Sequence, residues 1–197
     1  MTISQKLSKQ IQFIKEIDKM KTILRQNRVI GNSKREDDAE HSWHAATLAM
    51  VFSEYAKPTV NIDRAIKMLL IHDLVEVYAG DTPCFDSEVV KTQAERELKA
   101  ADKLYSILDG SQGDELKSLW LEFDSEETDD AKYAAAIDHI QPLFLNYYTD
   151  GASWKTRAVT REQVYRRNAI TKTEIPELWN FVETAVEECY EKGFLKG

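Results

Sequence analysis

The chain has 197 residues, 43% of them apolar and 30% charged, and a formal net charge of −8. That length and apolar content suffice for one domain with a real core, while the acidic balance argues against gripping a nucleic-acid polymer through counterion release. No apolar run reaches the roughly 18–20 residues of a membrane span. The opening MTISQKLSKQIQFIKE also lacks the apolar core of a signal peptide, so a cytoplasmic protein is expected.

Helical periodicity dominates, and only seven glycines and four prolines interrupt it. Ile3, Leu7, Ile11, Ile14, Ile17 and Leu24 recur at helical spacing and predict a first helix over 3–26. NRVIGNSKREDD (27–38) reads as a polar loop. Ala45, Leu48, Val51 and Phe52 form the stripe of a helix at about 39–56, which Pro58 ends. Asn61 or Asp63 can cap a third helix that runs to Gly80. Further helices are expected at about 87–110, 113–123, 129–149, 160–168 and 176–193. DSEETDD (124–130) reads as a solvated loop whose acids favour the positive end of the next helix. The two cysteines, Cys84 and Cys189, form neither a CxxC nor a disulfide framework. The expectation is a single all-α domain over 1–197, a bundle of seven or eight helices.

The third helix contains the chemistry. LLIHDLVEVYAGD (69–81) is apolar except for His72, Asp73 and Glu76. At about 100° per residue, these three fall within roughly 100° of arc on a regular helix, so they share a face. Buried ionisable groups need compensation. Three readings stand at this point: a hydrogen-bonded core pair, a proton-transfer site without metal, or metal ligation by His72 and Asp73 with Glu76 beside the ion. Two other segments offer ligands of the same type. AEHSWH (39–44) carries His41 and His44, and AAAIDHI (134–140) carries Asp138 and His139 in an apolar run. Two imidazoles and two carboxylates suit Mn²⁺, Fe²⁺, Co²⁺ or Zn²⁺, with positions left open for water and substrate. Ser42 and Thr47 lack the partners of a triad, and Gly31 and Gly80 are isolated, so there is no phosphate-cradling glycine loop.

EH at 40–41, HD at 72–73 with Glu76 and Gly80-Asp81 after it, and Asp138 farther on resemble the HD-domain metal-dependent phosphohydrolase superfamily. The wording HDLVEVYAGD is close to the pattern of the branch that contains the 5′-deoxynucleotidases, and REDDAEHSWH, DHIQPLFLNYYTDGASW and PELW extend the likeness over nearly the whole chain. The resemblance implies one divalent metal ion (Mn²⁺, Co²⁺, Fe²⁺, Zn²⁺ or Mg²⁺) held by His41, His72, Asp73 and Asp138. It implies Glu76 and Asp81 as catalytic carboxylates, and an arginine before the EH pair that holds phosphate. Arg28 is the best match to that arginine, with Arg35 or Arg25 able to do the same work. The Arg-Trp pair of relatives is absent, because Val29 follows Arg28. His139 stands where relatives commonly carry a basic residue. The implied activity is hydrolysis of deoxyribonucleoside 5′-monophosphates, with water activated by the metal as the attacking group. A phosphohydrolase for another nucleotide and a non-catalytic nucleotide or metal sensor are the alternatives. The expected partners are a small nucleotide and a second copy of the chain in a homodimer, with no nucleic acid polymer and no membrane.

Overall fold

The structure is a computed structural model that describes residues 3–80 and 92–197; Asp81 and Cys84 lie outside them. Helices account for nearly all of its regular structure. Ser4 accepts from the amide of Leu7 and caps α1 (Gln5–Ile17). A short 3₁₀ helix, Asp18–Thr22, then redirects the chain. The polar stretch expected as a loop instead pairs into an antiparallel hairpin, β1 (Leu24–Arg28) with β2 (Arg35–Asp37). Its turn closes through Asn32 N–H to Val29 O at 2.9 Å, with Gly31 at φ +88°, a conformation open to glycine at little cost. The first predicted helix therefore stops at Ile17, and its apolar stripe faces outward: Ile3, Leu7, Ile11 and Ile14 are exposed, while Phe13 and Met20 enter the core.

A reciprocal capping box starts α2 (Asp38–Val51), where Asp37 Oδ1 accepts from Glu40 N–H and Glu40 Oε2 accepts from Asp37 N–H. Asn61 caps α3 (Ile62–Ile71), as its sequence position predicts. The expected single helix through residue 80 breaks after Ile71. His72 Nδ1 donates to Leu69 O (2.8 Å) and Trp120 Nε1 donates to His72 O (3.1 Å), so side chains compete for the carbonyls that regular helical bonds would use. The backbone tightens to i→i−3 bonds, Leu74 N–H to Ile71 O and Glu76 N–H to Asp73 O. The short α4 (Glu76–Ala79) ends at Gly80. Residues three apart eclipse in such a turn, which brings Asp73 and Glu76 to one side.

Beyond the undescribed segment come α5 (Gln93–Tyr105), α6 (Ser111–Ser125) and α7 (Asp129–Tyr148). Two short helices that the periodicity did not reveal, α8 (Ala152–Arg157) and α10 (Thr171–Glu174), flank α9 (Arg161–Arg167). The last helix, α11 (Pro176–Glu191), carries proline in its first turn, where its missing N–H does no harm. Two apolar clusters result. One surrounds α7, with Tyr133, Ile137, Ile140 and Leu143 packed on Met68 and Leu69 of α3 and Val182 and Val186 of α11. The other joins Phe13, Leu74, Val75, Leu104, Tyr105 and Trp120. Each fully buried Ile or Leu contributes about 1.5–3 kcal/mol. Ile71 touches both clusters, so the tightened turn at 72–75 lies along their seam. Among the described residues, no helix is long and apolar enough to cross a membrane.

Gly113, buried in the first turn of α6, lies against the end of α5. A Cβ there would sit 2.4 Å from the backbone carbonyl of Tyr105. Gly113→Ala is expected to lower stability by about 1–3 kcal/mol, the usual cost of overpacking; the denaturant midpoint measures it, and an unchanged midpoint would show that α6 can slide at no cost.

Candidate metal centre

The capping box anchors α2 so that His41 lies one turn inside the helix, fully buried. His72 leaves the end of α3, Asp73 follows it in the tightened turn, and Asp138 projects from the middle of α7. These four residues converge. His41 Nε2 lies 3.2 Å from His72 Nε2, 2.9 Å from Asp138 Oδ1 and 3.6 Å from Asp73 Oδ2. His72 Nε2 lies 3.2 Å from Asp73 Oδ2 and 3.4 Å from Asp138 Oδ1. Ligand atoms of His41, His72 and Asp73 are all within 4.8 Å of one another, a group able to hold a metal ion.

The chemistry of the donor set fits a cation. Leu69 O can only accept, so the proton on His72 is at Nδ1 when the ring is neutral. His41 Nδ1 faces Gln141 Oε1 at 2.9 Å, and Gln141 Nε2 donates to Glu36 Oε1 at 2.6 Å. Because the amide nitrogen is thus spent on Glu36, its oxygen must accept, and His41 also carries its proton on Nδ1. Both Nε2 lone pairs then point at each other and at two carboxylates. Such a nest of acceptors requires positive charge at its centre. Donor atoms held about 2.1 Å from one ion and at right angles lie about 3 Å apart, close to the spacings seen here.

The electrostatics agree. Burial works against charge on His72, but Asp73 and Asp138 outweigh it and lift the imidazole to about 10. His41 moves down, because burial and the nearby Arg25 charge exceed the pull of Asp138. Burial raises the carboxyls of Asp73 and Asp138, yet the two histidines, joined at Asp73 by Arg25, hold both below the usual range. A divalent cation supplies the same positive charge that these carboxylates draw to His72.

Outside the cluster lies a shell of support. Gln141, fully buried and one turn past Asp138 on α7, links His41 to Glu36 and also reaches His44 Nδ1 at 3.0 Å. His44 is therefore attached to the centre through an amide and does not enter it. Burial raises Glu36 to about 7, against the pull of Arg25. Groups that orient a metal-binding imidazole are typically worth about 10–100-fold in affinity. Gln141→Leu is expected to weaken metal binding by that factor while His41 stays in place. Competition with a fluorescent chelator reads the affinity, and wild-type affinity in this variant would show that packing alone holds the His41 ring.

The arginines divide by what they touch. Arg25 of β1 is nearly buried, at 2.6 Å from Asp73 Oδ2, 3.5 Å from Asp38 and 3.8 Å from Glu36. Burial opposes its charge, but Asp73, Glu76 and Asp138 keep it firmly protonated. Arg28 donates to Asn32 O in the hairpin turn, and Arg35 donates to Leu24 O and Arg25 O. Neither Arg28 nor Arg35 lines the cavity over the cluster; both border a separate, smaller one with Ala152 and Thr156. The main cavity, about 320 Å³, is bounded by His72, Asp73, Glu76 and Asp138 at one end and by Trp154 and Val159 elsewhere. Glu76 is buried, whereas Asp81 lies outside the described residues. Sequence reasoning missed Glu36 and Gln141. Position 141 carried a signal, since a polar residue three after Asp138 in an apolar helix shares its face; Glu36 sat in a segment read as loop.

A mainly helical frame that draws an EH histidine, an HD pair and a distant aspartate into one buried cluster defines a class of protein, and the sequence matches that class directly. The HD domain family matches residues 17–179, and the chain belongs to it. It is 43% identical to a predicted metal-dependent phosphohydrolase from Magnetospirillum magnetotacticum MS-1, whose crystal structure superposes with a TM-score of 0.92 over 98% of this chain and 96% of that one. It is 26% identical over 134 residues to the human 5′-deoxynucleotidase HDDC2, a match covering 68% of this chain and 64% of that protein. It is also 26% identical over 117 residues to the 5′-deoxynucleotidase hdd1 of Schizosaccharomyces pombe, covering 57% and 58%. The chain thus spans a little under two thirds of the length of the curated relatives it matches.

Proposed function

We propose that the chain is a metal-dependent phosphohydrolase that converts deoxyribonucleoside 5′-monophosphates to deoxynucleoside and phosphate. The observation that carries this reading is the acceptor cluster of His41, His72, Asp73 and Asp138 at the end of a cavity that also holds a buried carboxylate, Glu76. The activity named for the 5′-deoxynucleotidase relatives and for the Magnetospirillum neighbour supports it. A divalent ion held by the four residues would lower the pKa of water toward neutrality and offset charge on a phosphate oxygen.

The protein's own groups do the rest. Glu76, which borders the cavity beside Asp73, would orient the attacking water and take its proton. As the water oxygen bonds to phosphorus, the bond to the 5′-oxygen breaks, and that oxygen receives a proton on leaving, with Asp81 assigned to support it. Trp154, Leu143 and Val159 give the cavity an apolar wall, and Asn146 and Ser153 add polar groups along it. About 320 Å³ lies within the range of small-molecule sites, and a wall of this mixed kind suits a nucleoside. Phosphate release from dAMP, dGMP, dCMP and TMP and from the matching ribonucleotides, with Mn²⁺ or Co²⁺ added, tests the proposal. Faster release from the deoxy series is expected. No release from any monophosphate by metal-loaded protein would reject it.

A further inference from the structure

We propose that Arg167, from α9, is the residue that binds the non-bridging oxygens of the substrate phosphate; this rests on the function proposed above. Asp138 has two carboxylate oxygens. Oδ1 faces the histidines, and Oδ2 accepts from Arg167 Nη2 at 3.1 Å. Arg167, like Arg25, lines the cavity immediately beside the cluster. Its side chain is 39% exposed, against 15% for Arg25. A guanidinium carries five N–H donors in a planar fork, so the contact with Asp138 fixes its direction and leaves most of the fork for an anion.

The arginines that the sequence singled out are committed elsewhere. Arg25 sits among Asp73, Asp38 and Glu36 and offsets their charge. Arg28 and Arg35 are held by hairpin carbonyls away from this cavity. Several contacts hold the helix that carries Arg167. Thr160 and Gln163 form a capping box at the start of α9, Val164 is buried, and buried Asn168 donates to Val164 O at 2.9 Å. A phosphate that reaches the cluster from the cavity meets this arginine at its margin.

The test is a calorimetric titration of inorganic phosphate into Mn²⁺-loaded wild type, Arg167→Ala, Arg167→Lys and Arg28→Ala, with bound manganese measured on each. Arg167→Ala is expected to weaken phosphate binding roughly ten- to a hundredfold, the scale of a lost charge-assisted hydrogen bond, with manganese content unchanged. Arg167→Lys, which keeps the charge beside Asp138, should fall between, and Arg28→Ala should match wild type. The proposal is overturned if Arg167→Ala and Arg167→Lys bind phosphate as wild type does, or if wild type binds none. It is overturned equally if Arg167→Ala loses manganese in step with phosphate, since Arg167 would then only support Asp138. If wild type hydrolyses no monophosphate while the phosphate result holds, the proposed function fails and Arg167 remains a phosphate-binding residue of this cavity.

Discussion

His72→Ala is expected to lose stoichiometric metal and to reduce hydrolysis by about 10³-fold or more, the scale on which a preorganised electrostatic element acts in a secluded site. His72 is the hinge of the centre. Its Nε2 touches His41, Asp73 and Asp138, its Nδ1 holds the Leu69 carbonyl, and its own carbonyl accepts from Trp120. Alanine removes a candidate ligand and leaves two buried carboxylates with less opposing charge, a costly arrangement. Metal analysis after purification without chelator reads the first effect. Thermal melting with and without EDTA reads it independently. A ligand that binds only the folded state at a thousand times its Kd stabilises by about 4 kcal/mol, so wild type should melt lower with EDTA and the variant should not respond. A His72→Ala protein that kept both its metal and its EDTA response would show that the ion sits elsewhere.

How much of this was legible beforehand depended on whether the information was periodic. The helices at 129–148 and 176–191 and the capped start at Asn61 follow from apolar spacing and end signals, and the structure places them where expected. The hairpin was not legible. Leu24–Arg28 and Arg35–Asp37 contain almost no apolar alternation, because their side chains serve the acidic cluster and the hairpin itself and do not face a sheet core. Pairing is set by the Gly31–Asn32 turn and confirmed only by tertiary contact. The break after Ile71 was hidden for a related reason. Local pattern favours a continuous helix, and only the distant Trp120, together with the His72 ring, takes carbonyls from the helical ladder. Regular helix geometry puts His72, Asp73 and Glu76 on one face; the structure reaches a similar grouping through a tighter turn. Histidine and aspartate inside apolar runs were visible as anomalies. The partners that neutralise them, Arg25, Gln141 and Glu36, come from other elements and become recognisable once the chain is folded.

Glu76→Gln isolates the proton-transfer step that the proposed function assigns to Glu76. Glutamine keeps the size and shape of the side chain at a buried position but cannot take a proton from water. The expected outcome is a kcat lower by about 10²–10⁴-fold, the range of positioned general acid–base groups, with KM changed little and bound metal unchanged. The geometry accounts for that separation. Glu76 N–H bonds Asp73 O at 2.9 Å in the tightened turn, so its side chain lies beside the cluster, while His41, His72 and Asp73 form, without it, a close group able to hold a metal ion. If metal content and kcat fell together, Glu76 would be acting as a ligand. If neither fell, the proton would have to go to another carboxylate, and Asp81 would be the next residue to replace.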